Sequence, residues 1–139
     1  MLSCALLVVA VFSPVLTGTY TSDGRAFVEH LSQLGFEVEQ AGNGFEALAK
    51  LQATPAFAVV LLDWTMPGMD GLEVLRRLRA DSRNTEVPVV MVTTDGELPF
   101  VDDAFKAGAN EYLMKPFDAQ TVLEKLLLLG VDPETRRVA

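Results

Sequence analysis

A carboxylate, a hydroxyl and an ammonium stand at Asp63, Thr93 and Lys115, 30 and then 22 residues apart. Each follows a segment that reads as a strand: Phe57–Leu62, Val87–Val92 and Glu111–Met114. Singly, each has an ordinary explanation. An Asp or Thr at a strand end often caps the next helix, and a Lys before Pro is usually a solvated charge. Together, at three successive strand ends of one sheet, they suit phosphoryl transfer to a carboxylate. Asp63 is the nucleophile that becomes an aspartyl phosphate. Thr93 hydrogen-bonds a phosphoryl oxygen, and Lys115 neutralises its charge.

The elements that must position these groups alternate along the chain. Leu6–Phe12 is an apolar, β-branched run, too short to cross a membrane and without a Lys or Arg before it, so a buried strand is expected and not a signal peptide. Ser13–Gly24 reads as a loop. Arg25–Leu34 is an amphipathic helix with Phe27, Leu31 and Leu34 on one face. Phe36–Ala41 alternates as a half-exposed strand does. Gly44–Gln52 is a helix expected to turn Phe45, Leu48 and Leu51 inward. Leu72–Ala80 is another, with Leu72, Leu75 and Leu78 inward and Arg76, Arg77 and Arg79 outward. Phe100–Ala107 is a short helix. Asp118–Leu129 is the last helix, with Asp118 as its N-cap. Val131–Ala139 reads as a frayed tail after a domain of residues 1–130, whose first 24 residues are atypical.

The order βαβαβαβαβα implies an α/β fold, a doubly wound five-stranded parallel sheet with helices on both faces. Its nearly all-apolar central strands fit burial on both sides. The functional cleft of such a sheet lies beyond the carboxyl ends of its strands, where Asp63, Thr93 and Lys115 fall.

Composition narrows the function. Eleven basic against nineteen acidic residues leave a net charge of −8, which argues against nucleic acid as a partner. One cysteine, Cys4, excludes an internal disulfide and a cysteine zinc cage, and His30 is the one histidine. No membrane association is expected, and a cytoplasmic location is.

Longer motifs carry a resemblance. Leu61-Leu62-Asp63-Trp64-Thr65-Met66-Pro67-Gly68-Met69-Asp70-Gly71 is similar to the phosphoacceptor loop of two-component response-regulator receiver domains, the chemotaxis regulators above all. Pro88-Val89-Val90-Met91-Val92-Thr93-Thr94 resembles the family's fourth strand with its switch Thr. Ala107-Gly108-Ala109-Asn110-Glu111-Tyr112-Leu113-Met114-Lys115-Pro116-Phe117 resembles its fifth strand and Lys-Pro signature. Gly35-Phe36-Glu37-Val38 and Ala41-Gly42-Asn43-Gly44 match the second strand and its turn. The resemblance runs from about Arg25 to Gly130.

It implies a flavodoxin-like receiver fold in phosphorelay signalling, not an enzyme. Asp63 is then the phosphoacceptor for a histidine kinase, Thr93 the switch hydroxyl, Lys115 the site lysine and Tyr112 the switch aromatic. Thr65 offers its backbone carbonyl to Mg²⁺. The fourth helix, fifth strand and fifth helix form the face for a downstream protein or for a second copy in a homodimer. Phe100, Val101 and the run Leu126–Leu129 lie on those helices.

One part of the pattern is broken. The family carries an acidic pair at the end of its first strand, which holds Mg²⁺, a hard cation that wants oxygen ligands. If the strand is Val8–Val11, Ala10 and Val11 stand where the acids belong. Counting back from Gly35 instead reaches Gly18 and Thr19. Neither register supplies an acid, and Asp23 is the nearest candidate. Asp63 and Lys115 are then expected to pair directly, Mg²⁺ to bind weakly and phosphorylation to be impaired. The alternative is a phosphorylation-independent pseudo-receiver that acts as a protein-binding module. Two enzyme readings are weaker. An aspartate-nucleophile phosphatase would want a second Asp where Thr65 stands. Gly42-Asn43-Gly44-Phe45-Glu46-Ala47 imitates a dinucleotide fingerprint, but after a half-exposed strand.

Overall fold

The computed structural model describes residues 6–11, 29, 31–33, 36–53, 57–64, 68–114 and 117–131. Five parallel strands form one sheet: β1 (Leu6–Val11), β2 (Phe36–Ala41), β3 (Val59–Asp63), β4 (Val89–Thr93) and β5 (Glu111–Met114). Their spatial order is β2-β1-β3-β4-β5. The reversal between β1 and β3 opens the crevice in which doubly wound sheets place their sites. Of the first helix, α1, residues 29 and 31–33 are described. The others are α2 (Gly44–Ala53), α3 (Gly71–Ala80), α4 (Val101–Ala107) and α5 (Ala119–Leu128).

Strand alternation divides the interior into two cores. Val60, Leu62, Val89 and Met91 pack with Ala47, Leu51, Val74, Leu75, Leu78 and Ala104 of α2, α3 and α4. Val59, Leu61, Val90 and Leu113 pack with Leu31, Val122 and Leu126 of α1 and α5. Successive strand side chains face opposite ways, so β3 and β4 must be apolar throughout to fill both cores. Every residue of β3 and β4 is buried.

Short polar residues start the helices. The Asp70 carboxylate accepts from the Glu73 N–H at 2.9 Å, and the Asp118 carboxylate from the Thr121 N–H at 2.8 Å. Asn43 does the same for Glu46 at 2.9 Å. These bonds occupy donors that a helix leaves open in its first turn. Gly108 ends α4 with a φ of 114°, where a side chain would be strained and would meet Arg79.

Several local expectations are corrected. Phe45 is 60% exposed. The buried stripe of α2 is Gly44, Ala47 and Leu51, at i, i+3 and i+7, and Phe45 falls beside it. Gly44 presses so closely on Val74 that an added Cβ would lie 2.5 Å from it. Arg79 does not point outward. Its guanidinium folds back to the carbonyls of Gly108 and Asn84 and to the Asn110 side chain, and burial lowers its pKa. The helix expected over Phe100–Ala107 begins one residue later, at Val101, because Phe100 closes a 3₁₀ turn, Asp95–Phe100. Within the run Leu126–Leu129, Leu126 is fully buried while Leu127 and Leu128 are exposed, as one helix face requires. The core extends past Gly130: Val131 is buried and its N–H bonds the Leu126 carbonyl. Among the described residues no helix is long and apolar enough to cross a membrane.

Candidate functional site

Asp63 and Thr93 end adjacent strands. Asp63 pairs in register with Val92, so Thr93 stands one step further along the neighbouring strand. Both are almost wholly buried, Asp63 at 2% exposure and Thr93 at 0%, and they are the two polar residues in a described core otherwise apolar.

The backbone after Asp63 is tightly fixed. The Trp64 N–H bonds the Val92 carbonyl at 3.1 Å, which continues the pairing past the carboxylate. The chain then turns back, and the Gly71 N–H reaches the Trp64 carbonyl at 2.7 Å. Gly68 makes part of this turn with a φ of 83°. At Gly71 the close approach excludes any side chain, because a Cβ would lie 2.4 Å from the Asp63 carbonyl oxygen and 2.9 Å from the Trp64 Cα. The start of α3 thus braces the backbone that carries Asp63. Sequence reasoning quoted Gly71 in a motif without this role, since close approach leaves no periodic signal.

The two adjacent threonines differ. Thr94 donates its N–H and its hydroxyl to the Glu97 carboxylate, at 2.8 and 3.2 Å, and so opens the 3₁₀ turn. The Thr93 hydroxyl is buried and finds no hydrogen-bond partner among the described residues. Such an orphan costs about 1–3 kcal/mol, and native structures hold few of them. It suits a group that waits for a ligand oxygen.

Tyr112 follows on β5, opposite Met91. Met91 and Thr93 have the same strand parity, so Thr93 and Tyr112 share the face of the sheet that α3 and α4 cover. Tyr112 is half-buried. Its ring meets Phe105 of α4 edge to face, with centroids 6.4 Å apart. The Lys125 ammonium of α5 lies 4.9 Å from the ring centroid and pairs with Glu111 at 2.9 Å. Sequence reasoning assigned Phe105, Glu111 and Lys125 no role at the site, because nothing in their spacing predicts that three elements meet at one ring.

The other flank of Asp63 is β1. Its register sets Ala10 beside Leu61 and Val11 beside Leu62, one step before the carboxylate. The strand therefore ends at Ala10-Val11, and of the two registers open in the sequence this is the one the fold adopts. Neither residue has a side-chain oxygen. Among the described residues no three Asp, Glu, His or Cys side chains cluster as a metal site. Lys115, Thr65 and Asp23, like Gly18, Thr19 and His30, lie outside the described residues.

A buried aspartate and threonine at neighbouring strand ends of a sheet ordered 2-1-3-4-5 define a receiver-type signalling domain. The response regulator receiver domain model matches residues 24–127, and the chain belongs to that family. It is 45% identical over 110 residues to the chemotaxis protein CheY1 of Helicobacter pylori, covering 78% of this chain and 89% of that one. Its fold matches the chemotaxis protein CheY4 of Vibrio cholerae with a TM-score of 0.79 and 32% identity, over 90% of this chain and 98% of that one. It also matches the receiver domain of the sensor histidine kinase PA1611 of Pseudomonas aeruginosa, described with a magnesium ion coordinated in its active-site cleft. There the TM-score is 0.75 and identity 22%, over 91% and 98% of the two chains, a likeness of fold. The chain is thus a chemotaxis-regulator-like receiver domain of two-component signalling.

Proposed function

We propose that this domain relays a signal by accepting a phosphoryl group on Asp63 from a phosphohistidine of its kinase, and that it does so slowly. The observation that carries this reading is the orphaned Thr93 hydroxyl one step from a buried Asp63. An Asp63 carboxylate oxygen attacks phosphorus as the phosphorus–nitrogen bond to the histidine breaks, leaving the imidazole on the kinase and an aspartyl phosphate here. The Thr93 hydroxyl then donates to a phosphoryl oxygen and loses its orphan state. Lys115 neutralises charge on the same group. Tyr112, on the same face of the sheet, reports the change to the α4–β5–α5 surface, where a downstream protein or a second copy docks.

Receiver domains typically use Mg²⁺ at this site. The residues here do not fit that role well. Ala10 and Val11 end the strand beside Asp63, and two side chains without oxygen cannot share an octahedral cation with it. Thr65 could add a backbone carbonyl and Asp23 a carboxylate, which is still a poor set for a metal that holds its waters tightly. No step above passes through a metal, and slow transfer is the consequence. The same observation favours a second reading, a protein-binding module whose Asp63 is never phosphorylated.

Intact-mass measurement after treatment with acetyl phosphate, with and without Mg²⁺, separates the two. We expect a small phosphate adduct, weakly dependent on Mg²⁺ and missing in Asp63→Asn. A folded wild-type protein that forms none under either condition is the binding module.

A further inference from the structure

The arrangement around Tyr112 bridges three elements. Phe105 meets its ring from α4. Lys125 meets it from α5. Glu111 ties Lys125 to the backbone of β5, because one carboxylate oxygen accepts from the Lys125 ammonium at 2.9 Å and from the Tyr112 N–H at 3.0 Å. Lys125 is therefore held in place over the ring by an anchored anion. Phe105 is 40% exposed and Leu128, one turn beyond Lys125 on α5, is 75% exposed, so this assembly lies on the outer surface.

We propose that Phe105 and Lys125 act as a clamp that holds Tyr112 in its half-exposed position, setting the resting state of the switch from outside. The inference rests on the reading of Tyr112 as the switch aromatic and adds what it must overcome. A ring that turns fully inward leaves the cation over its face and loses its edge contact with Phe105. Each contact then biases the outward-to-inward ratio by about fivefold, the size expected of one aromatic pair or one exposed cation–π contact. A partner that covers Phe105 and Lys125 acts on the same equilibrium without touching Asp63.

The chain has two tyrosines, Tyr20 and Tyr112, so a Tyr20→Phe background labelled with 3-fluorotyrosine reports Tyr112 alone. The readout is the relaxation of its fluorine by a neutral gadolinium chelate in the resting protein, with no phosphodonor. In Phe105→Ala and in Lys125→Met the neighbours that shield the ring are removed. If the ring only loses cover, relaxation rises. If the clamp is real, the ring turns inward and relaxation falls, with about a fivefold change in the population ratio. Lys125→Arg keeps the cation and is expected to match wild type. Unchanged or increased relaxation in both truncating variants overturns the clamp. Adding acetyl phosphate to the wild-type sample afterwards tests the switch itself. A ring that answers the truncations but not the phosphodonor leaves the clamp standing and removes the switch reading.

Discussion

The two strands that flank β3 bring opposite chemistry to Asp63. β4 delivers Thr93, fully buried, with a hydroxyl that has no partner among the described residues. β1 delivers Ala10 and Val11, in register with Leu61 and Leu62, with no polar side chain at all. One flank keeps a costly group that serves no packing purpose. The other brings no side-chain oxygen from Ala10 or Val11. In the proposed reading, the nucleophile and the means of sensing its state are thus separable from the means of neutralising charge during transfer. A cluster of three carboxylates repels itself unless a metal is bound, whereas one carboxylate beside an apolar strand end carries no such penalty. The resting site of this protein is accordingly expected to be less sensitive to divalent ions than a site with the acidic pair.

The largest effect should come from reversing the apolar flank. Ala10→Asp with Val11→Asp places two carboxylates at the end of β1. Trp64, the one tryptophan, directly follows Asp63 and gives a fluorescence signal at the site. Wild type is expected to show no saturable response to Mg²⁺, and the double variant to gain one. Its rate of phosphorylation by acetyl phosphate in Mg²⁺ should rise by roughly a hundredfold, which corresponds to about 2.7 kcal/mol of added transition-state stabilisation. A wild-type protein with a saturable Mg²⁺ response that Asp63→Asn removes would end the contrast between the two flanks.

The other flank is sharpened by Thr93→Val. The substitution keeps the volume and removes a buried hydroxyl that has no partner among the described residues, so it should stabilise the fold by about 1 kcal/mol while weakening the response to phosphorylation. The comparison to make is denaturant midpoint against adduct lifetime. Loss of stability would mean that the hydroxyl is engaged after all. A gain in stability with loss of signalling is the signature of a group kept for function.

The parts of this contrast differed in legibility. β3 and β4 were readable because strands buried on both faces must be apolar, and Asp63 and Thr93 interrupt them at the end. The Asp118 cap was readable because a short acceptor before a helix has one main use. The β1 register was not, since both alignments placed uncharged residues at the end; pairing with β2 and β3 decides it. Phe45 was misplaced because counting large apolar residues ignores small ones, and Gly44 and Ala47 hold the buried stripe of α2. Arg79 was misplaced for a related reason. A charge on a helix is assumed to be solvated, but its guanidinium reaches carbonyls 5 and 29 residues away. The clamp at Tyr112 was invisible because its members are joined by tertiary packing alone.

The smallest expected effect concerns that clamp, through Glu111. Partial burial pushes its carboxyl pKa up. The hydrogen bond from Lys125, the Tyr112 N–H and the charge of Lys125 together outweigh this and leave the pKa below its ordinary value. A carboxylate with a depressed folded pKa contributes stability that is complete above its unfolded pKa, near 4.3, and is lost as pH falls through the folded value. The pair is partly open to solvent, so its contribution at neutral pH should stay below about 1 kcal/mol. Glu111→Gln should therefore lower the thermal midpoint slightly at pH 7, and the difference from wild type should shrink as pH falls below about 4. Thermal melts of both proteins at pH 7 and pH 3 are the measurement. A difference that persists undiminished at pH 3 would trace to the Tyr112 backbone contact and not to the ion pair, and Lys125 would then be held over the ring by Tyr112 alone.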